Sequence, residues 1–396
     1  LFLLSTGTAM ALGGRVLGLL EEFPASAGVL AVLGLVAVAA SLRELTRTVA
    51  EALSPERSEP LGDAIFRTRS LGRGPRIVVI GGGTGLSTLL RGLKEHTSNL
   101  TAVVTVSDDG GSSGRLRGEL GVPPPGDIRN CLVAMADTEP LMERLFQHRF
   151  DAGSGLAGHS FGNLFIAALT QVAGDFEEAV RLSSRVLAVR GRVLPATLAD
   201  VVLCARLRDG RLVRGESAIP AAGGRIERVF LDPPDAAPLP EALEALADAD
   251  AVVIGPGSLF TSILPSLLVR GIADAARRSP AVKVLVCNLM TQPGETDGFS
   301  ASDHVRALAE HLGRPLADIL LFNSAPFSQR VLERYAAEGA APVRLDPDGV
   351  RAYGLEVRLR PMAARGPQAR HDPGRLARAI LEIVARGRRR RRAWRG

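Results

Sequence analysis

Short, uninterrupted apolar runs alternate along the chain with segments in which apolar residues repeat at helical spacing. The run at 76–80, RIVVI, has the length and β-branched composition of a strand buried on both faces of a parallel sheet. Leu86, Leu89, Leu90 and Leu93 follow it at the spacing of a helix. Further runs of this kind lie at 100–106, 251–254, 282–287 and 319–322. This alternation predicts an α/β fold around a doubly wound parallel sheet.

The middle of the chain, residues 151–245, departs from this alternation. A helical pattern runs from Phe176 to Val189, after which the apolar period changes. The segments at 201–207 and 211–217, joined through Asp209-Gly210, have the pattern of a β-hairpin. We therefore predict an inserted α+β segment over 151–245 that caps a ligand.

The amino-terminal region is strongly apolar. Residues 25–42 form an 18-residue stretch without a charge, which as a helix spans roughly 27 Å, about the thickness of a bilayer core. A second apolar stretch precedes it, so residues 1–50 are predicted to form a helical membrane hairpin. Arg43 and Arg47 then favour a cytoplasmic location for the rest of the chain, anchored at the inner face of the plasma membrane. A buried helical hairpin and an export signal are the alternatives.

The domain organisation follows from changes in composition. Residues 51–75 are polar and broken by proline and glycine, which is typical of a linker. The predicted ligand-binding domain covers 76–385, and an arginine-rich tail covers 386–396.

Composition excludes several classes of protein. With 396 residues, of which 46% are hydrophobic and 4% aromatic, the chain is globular and not disordered as a whole. Cys131, Cys204 and Cys287 are too far apart in sequence for a zinc or redox C-x-x-C pair, and a disulfide framework is equally disfavoured. We therefore expect a reducing compartment.

The net charge of +6 is concentrated at the carboxyl end. The seven arginines of 386–396 account for the whole excess, which leaves the rest of the chain close to neutral. Since no broad basic face or aromatic interleaving accompanies them, a specific nucleic-acid partner is not expected. The tail suits anionic lipid headgroups, while non-specific RNA binding and a solvated tail remain alternatives.

A glycine loop follows the first strand and is the first candidate ligand site. Gly82, Gly83, Thr84 and Gly85 stand between the strand and a helix, where glycine lets a phosphate approach the backbone N–H groups. The third glycine of a dinucleotide fingerprint would fall at Leu86, and no P-loop lysine is present. A tight turn without a ligand is the alternative.

The loop after the second strand carries paired acids. Ser107, Asp108, Asp109 and Ser112 could hold a ribose, or magnesium together with a phosphate, although a solvated loop has the same composition. The third motif, PPPGDIRN, places Asp127 as an expected helix N-cap.

Other polar residues complete the candidate set. Arg129 and Asn130 would lie in the first turn of the helix after Asp127, where a cation opposes the helix dipole and suggests an anionic ligand. His159 and Asn163 are spaced i and i+4, as on one helical face, although a structural histidine is the alternative.

Two further loops follow apolar strands. The first contains Gly257 and Ser258, and the second contains Asn288, Thr291 and Gln292. Ligands of open parallel sheets bind outside the carboxyl ends of the strands, so these loops should converge on one crevice. Diphosphate is expected on Gly82–Gly85 and on the Gly257–Ser258 loop.

The motifs IGGGTGLSTLLRGLK, SDDGGSSGRLR, PPGDIRN, GHSFGNL, IGPGSLFTSILPSLLVRGI and CNLMTQPGETDGF, in this order, resemble the YvcK family, also called gluconeogenesis factors. More distantly they are similar to CofD phospholactate transferases. The likeness ends near Arg370 and His371, which match the family's R-H-D segment. It implies a Rossmann-like domain that binds a UDP-sugar, notably UDP-N-acetylglucosamine, in bacterial cell-shape, cell-wall and carbon-metabolism control.

The resemblance implies no established catalysis and no established cofactor, but magnesium with the nucleotide diphosphate is left open. Expected partners are the UDP-sugar, the membrane through residues 1–50 and unidentified cell-wall regulatory proteins, and a homo-oligomer is also left open. The alternative function is a CofD-like magnesium-dependent transferase in which Asp108 or Asp109 holds the metal. A weaker alternative, a dinucleotide-dependent oxidoreductase, lacks the full glycine fingerprint.

Overall fold

The computed structural model describes residues 34–41, 43–44, 69–137 and 140–395, with side chains as far as residue 387. The chain divides into two compact units, residues 1–70 and 71–396. In the first unit, residues 34–41 and 43–44 are helical, and the side chains of Leu35, Val36 and Val38 are exposed. The rest of the predicted membrane hairpin lies outside the described residues.

The second unit contains ten strands among the residues described. They are β1 Ile77–Gly81, β2 Leu100–Val104, β3 Arg192–Pro195, β4 Val202–Leu207, β5 Leu212–Arg214, β6 Ile226–Asp232, β7 Ala251–Ile254, β8 Val282–Val286, β9 Ile319–Asn323 and β10 Glu356–Arg360. Seven of them form a sheet in the order β10-β9-β8-β7-β1-β2-β3, and every neighbouring pair is parallel.

Helices cover both faces of this sheet. They are α1 Gly83–Leu93, α2 Gly111–Leu120, α3 Gly126–Met135, α4 Pro140–Gln147, α5 Phe161–Ala173, α6 Phe176–Val186, α7 Ala218–Ala221, α8 Pro240–Asp248, α9 Leu264–Leu268, α10 Ile272–Arg278, α11 Ala301–Leu312, α12 Gln329–Ala337, α13 Pro347–Ala352 and α14 Pro373–Arg395, with a π-helix at Leu259–Ile263.

Successive residues of β1 pack alternately in two separate hydrophobic cores. Val78 and Ile80 pack in one hydrophobic cluster, whereas Ile77 and Val79 pack in the other. A strand that is buried on both faces reads as a continuous apolar run, which explains the pattern of 76–80. The prediction of a doubly wound α/β fold is confirmed.

The segment 151–245, predicted as an insertion, belongs partly to the main domain and partly to a separate layer. Strand β3 pairs with β2, and Phe176 and Val180 of α6 pack in the core beneath it. Among the described strands of this segment, β5, β4 and β6 form a separate, antiparallel three-stranded sheet. The expected hairpin is present, with Cys204 opposite Arg214. The separate layer is therefore shorter than 151–245.

The strand order reverses between β1 and β7. From β1 the chain first adds β2 and β3 on one side, and later adds β7 to β10 on the other. Ligands of doubly wound sheets bind at such a switch point, outside the carboxyl ends of the strands. The loops after β1, β7 and β8 open at this edge.

No single helix among the described residues has both the length and the apolar composition needed to cross a bilayer. Two adjacent helical segments, Leu259–Leu268 and Ile272–Arg278, meet these criteria only as a pair, with a bend of 78° between them. The side chains of Leu264 and Ile272 in this pair are fully buried in the core.

Candidate functional site

A cleft of about 450 Å³ lies at the switch point of the sheet. Eleven of the predicted ligand residues line it, contributed by four separate loops. They are Gly82, Gly83, Thr84, Gly85, Gly257, Ser258, Asn288, Thr291, Gln292, Arg370 and His371. The loops expected to converge on one crevice therefore do so.

The glycine loop forms the start of α1. Gly82 is the N-cap in an extended conformation and contributes no side-chain cap, and Gly83 has φ +68°, a conformation that favours glycine. A Cβ at Gly85 would lie 2.6 Å from the carbonyl oxygen of Pro256, so this glycine lets the loops after β1 and β7 pack closely. The first turn of α1 thus presents backbone N–H groups and the positive end of the helix dipole to the cleft.

The loops after β7 and β8 meet through side-chain hydrogen bonds. Ser258 Oγ lies 2.7 Å from Gln292 Oε1, and Gln292 Nε2 lies 2.6 Å from a carboxylate oxygen of Glu295. Thr291 is held differently, since its hydroxyl accepts the backbone N–H of Ala341 at 2.9 Å. Ser258 and Gln292 are thus locked together at the wall of the cleft.

Arg370 and His371 face the cleft with different chemistry. Arg370 is exposed, and it forms no ion pair with the described residues. His371 is buried, its Nε2 has no hydrogen-bond partner in the described part of the chain, and burial lowers the pKa of its imidazole to about 4. Within the described part of the chain, the cleft therefore offers Arg370 as a cation without an ion pair and His371 as a neutral imidazole.

Nine predicted ligand residues do not line this cleft. They are Ser107, Asp108, Asp109, Ser112, Asp127, Arg129, Asn130, His159 and Asn163. They lie in the loops and helices that follow β2, and they are largely bonded to one another and to neighbouring protein groups.

Asp127 connects this second region to the glycine loop. Its carboxylate accepts the backbone N–H of Gly83, and a Cβ at Gly82 would overlap it. Burial is the main cause that raises the pKa of Asp127 to about 6, with the nearby charge of Asp108 acting in the same direction. Asp127 therefore occupies part of the α1 N-terminus that a phosphate would otherwise contact.

The acids after β2 are also engaged by protein groups. Asp109 Oδ1 accepts the Ser217 N–H at 2.8 Å, and Ser107 donates to Glu216 at 2.6 Å. Burial raises the pKa of Glu216 well above its ordinary value, and the neighbouring carboxylates of Asp108, Asp109 and Asp127 add to this rise. The region is a crowded acidic cluster next to the loop.

Two local predictions are wrong. Helix α3 begins at Gly126 with Pro125 as its N-cap, so Asp127 lies in the first turn, where its carboxylate turns to α1. His159 precedes α5, whose N-cap is Ser160, so His159 and Asn163 do not share a helical face.

The side chains of His159 and Asn163 nevertheless reach the start of α2. His159 Nδ1 lies 3.0 Å from Ser112 Oγ, and Asn163 donates to Ser113 at 3.4 Å. Arg129 bonds to the hydroxyl of Ser160 and, at 2.7 Å, to Asn130 Oδ1. These contacts give the four predicted residues protein partners.

Sequence reasoning missed several residues of the cleft. Tyr335 on α12 and Glu338 just after it form one wall, while Thr88 on α1 lies near the glycine loop. Tyr335 is one of only two tyrosines in the chain, which is a weak signal, and no motif surrounds it. Glu338 is paired with Arg334 at 3.5 Å.

The described side chains near the glycine loop supply only part of the ligand set of a magnesium ion. In the part of the chain that the structure describes, no group of three or more His, Cys, Asp or Glu side chains is arranged to hold a metal. Asp108 and Asp127 lie near the glycine loop, but a cation there would need oxygen ligands from a bound phosphate as well.

Comparisons with known proteins agree with this architecture. The family model described as 2-phospho-L-lactate transferase CofD matches residues 77–363. The fold and the position of the cleft therefore define a CofD-like α/β protein.

Closer relatives narrow the assignment. The gluconeogenesis factor of Bacillus subtilis is 52% identical over 315 residues, which cover 79% of this chain and 99% of that protein. The gluconeogenesis factor of Halalkalibacterium halodurans is 52% identical over 307 residues, which cover 77% and 95%. A crystal structure of a UPF0052 family member from Bacillus halodurans matches with a TM-score of 0.76 and 51% identity, covering 78% of this chain and 99% of the other. The chain belongs to the family of gluconeogenesis factors.

Proposed function

We propose that the protein binds a UDP-sugar, UDP-N-acetylglucosamine, in the switch-point cleft and acts as a regulator of cell shape, cell-wall synthesis and carbon metabolism. The names of the relatives support the link to carbon metabolism. The choice of uridine and of the sugar rests on the motifs that resemble the YvcK family.

The observation that carries the proposal is the pairing of two anion-binding features in one cleft. The N-cap Gly82 of α1 contributes no side chain, so apart from the Gly83 N–H, which Asp127 accepts, the first turn faces the cleft with its backbone. Arg370 is a cation without an acidic partner among the described residues. A helix N-terminus and a guanidinium both favour phosphate, and a diphosphate can reach two such groups at once.

The rest of the cleft suits an uncharged, polar moiety. Ser258, Asn288 and Gln292 supply oxygen and nitrogen atoms, and His371 adds a neutral ring nitrogen. The ring of Tyr335 offers a flat wall. The volume of about 450 Å³ falls within the range of small-molecule sites, about 300–1,000 Å³.

Calorimetric titration of the Arg370→Ala variant tests the proposal. Loss of a charge-assisted bond to the ligand should weaken UDP-N-acetylglucosamine binding by about 1.5–3 kcal/mol. The matched control is Arg270→Ala, an exposed arginine away from the cleft, which should bind like the parent. Equal affinities of parent and Arg370→Ala protein would place the diphosphate elsewhere.

A second candidate function is a magnesium-dependent transferase of the CofD type. The family match and the acids beside the glycine loop favour it. In this case Asp108→Asn would abolish consumption of a nucleotide substrate, and a chelator would do the same. Absence of any magnesium-dependent turnover by the pure protein would reject it in favour of the binding function.

The proposed location is the inner face of the plasma membrane, with residues 1–50 as the attachment. The charge-free stretch at 25–42 and the exposed apolar side chains of Leu35, Val36 and Val38 support it. Cell-wall regulatory proteins and a second copy of the chain are proposed partners on the strength of the family resemblance alone.

A further inference from the structure

A chain of hydrogen bonds runs from the cleft to a buried carboxylate. Ser258 Oγ lies 2.7 Å from Gln292 Oε1, and Gln292 Nε2 lies 2.6 Å from Glu295 Oε1. Ser258 and Gln292 line the cleft, whereas Glu295 is only 4% exposed and does not line it. The three residues connect the loops that follow β7 and β8.

Glu295 is surrounded by hydrogen-bond donors. Besides the amide of Gln292, its carboxylate receives the hydroxyl of Thr261 at 2.9 Å and the backbone N–H of Phe260 at 3.2 Å. It forms no salt bridge with the described residues. An ionised carboxylate can only accept hydrogen bonds. Burial raises the pKa of Glu295, while the donors Thr261 and Phe260 stabilise its ionised form. When Glu295 is ionised, Gln292 must turn its NH₂ group toward the carboxylate.

This orientation fixes the hydroxyl of Ser258. Because the NH₂ group of Gln292 faces Glu295, the other end of the amide, which faces Ser258, is a carbonyl oxygen that accepts. Ser258 has a single hydroxyl hydrogen and donates it to that oxygen. Only the lone pairs of Ser258 Oγ remain for a molecule in the cleft.

We propose that Ser258 determines ligand specificity by accepting a hydrogen bond from a ligand hydroxyl. Glu295 acts as a positioning residue, because through Gln292 it fixes the direction of the hydrogen bonds in this chain, which we call their polarity. The inference rests on the proposed binding of a nucleotide sugar. A phosphate oxygen without a proton cannot donate to Ser258, so the hydroxyl of Ser258 does not hold the diphosphate. This differs from the sequence expectation, in which Gly257 and Ser258 hold the diphosphate.

Titrations of full-length Ser258→Ala protein with UDP-N-acetylglucosamine and with inorganic pyrophosphate test the role of Ser258. Loss of one neutral hydrogen bond should weaken UDP-N-acetylglucosamine binding about fivefold. Pyrophosphate binding should stay the same as in the parent, because Ser258 has no proton to give it. A similar loss with both ligands would mean that Ser258 donates to phosphate, and would overturn the proposal.

A double-mutant cycle tests whether Glu295 acts through Ser258. Glu295→Gln keeps the size of the side chain but can donate, so Gln292 is free to reverse. We expect about a fivefold loss of UDP-N-acetylglucosamine affinity in the parent and no further loss in the Ser258→Ala background. Equal losses in both backgrounds would show that Glu295 only supports the fold. The matched control is Glu310→Gln, an exposed glutamate on α11.

A ligand-free measurement separates this inference from the proposed function. In protein labelled with ¹⁵N-glutamine, the side-chain NH₂ signal of Gln292, assigned by its loss in Gln292→Leu, should be protected from exchange with water. If the Gln292 signal is protected and no nucleotide sugar binds, the assigned polarity of the hydrogen bonds is supported and the proposed function fails. Free exchange of this signal would refute the polarity, whatever the protein binds.

Discussion

Asp127 shows why single residues were hard to assign from the sequence. As an acid before a helix it resembles an N-cap, but its carboxylate accepts the Gly83 N–H at the start of a different helix, α1. The two groups are 44 positions apart in sequence, so only the packing of α3 against α1 brings them together. A ligand phosphate at α1 would lie close to this carboxylate.

The raised pKa of Asp127 predicts a stabilising substitution. Its value of about 6 in the folded protein exceeds the ordinary 3.8, so the penalty for ionisation is absent below pH 3.8, grows as the pH rises to about 6, and stays constant above. Asp127→Asn should raise the free energy of unfolding at pH 8 by about 1–3 kcal/mol.

Urea denaturation at several pH values measures this effect. The gain should shrink as the pH falls below about 6 and disappear near pH 3, where the parent carboxyl is largely protonated in both the folded and the unfolded state. The exposed Asp235→Asn variant is the control, with an expected change below about 0.5 kcal/mol. A lower stability of Asp127→Asn at pH 8 would contradict the assigned cause.

The candidate site was predictable where polar residues directly follow strands. Gly82–Gly85, Ser258 and Gln292 line the cleft for this reason, because parallel strands end at the same edge of the sheet. Tyr335 was missed because it lies on a helix that reaches the cleft only through tertiary packing. Glu295 follows the same strand as Gln292, but its role was not predictable from the sequence, because that role depends on hydrogen-bond partners from other loops.

At the scale of elements, the apolar runs predicted strand positions better than strand ends. The runs at 100–106 and 282–287 contain strands that end at Val104 and Val286. Val106 and Cys287 are still buried, at 3% and 2% exposure, although they lie beyond the ladder. The apolar pattern indicates which residues are buried and not which residues pair in the sheet, so it overestimates strand length.

Helix α11 provides a prediction about local stability. Its N-cap Ser300 forms a capping box with Asp303, and the same hydroxyl lies 2.9 Å from Asp346 Oδ2. Because Ser300 is buried, Ser300→Ala should lower the free energy of unfolding by about 1–2 kcal/mol. Thermal denaturation measures this change.

A second serine supplies the control for that experiment. Ser328 is the N-cap of α12, is exposed, and makes no side-chain cap hydrogen bond. Ser328→Ala should therefore have a much smaller effect than Ser300→Ala. Equal destabilisation by both substitutions would mean that the capping hydrogen bonds of Ser300 add nothing measurable.

At the scale of the whole molecule, the division at residue 70 separates the unit that contains the cleft from the amino-terminal unit. All residues of the cleft, from Gly82 to His371, belong to the unit of residues 71–396. Binding and attachment should therefore be separable by deletion. The arginines of 386–396 lie at the end of α14, beyond the residues matched by the family model.

Deletion experiments test the proposed attachment. Removal of residues 1–50 should release most of the protein from the membrane fraction, because the charge-free stretch at 25–42 is lost. Removal of 386–396 should change only the salt sensitivity of attachment, since salt screens the attraction between arginines and anionic headgroups. Membrane fractionation with and without added salt measures both. Full-length protein that stays in the supernatant without detergent would contradict the attachment.

The central claim is that a nucleotide sugar binds at the switch point between β1 and β7. A crystal structure of the protein soaked with UDP-N-acetylglucosamine tests it most directly. We expect the diphosphate within hydrogen-bond distance of the first-turn N–H groups of α1 and of Arg370, with the sugar or ribose hydroxyls toward Ser258. Density for the ligand in another part of the molecule, or an empty cleft at saturating ligand, would contradict the account.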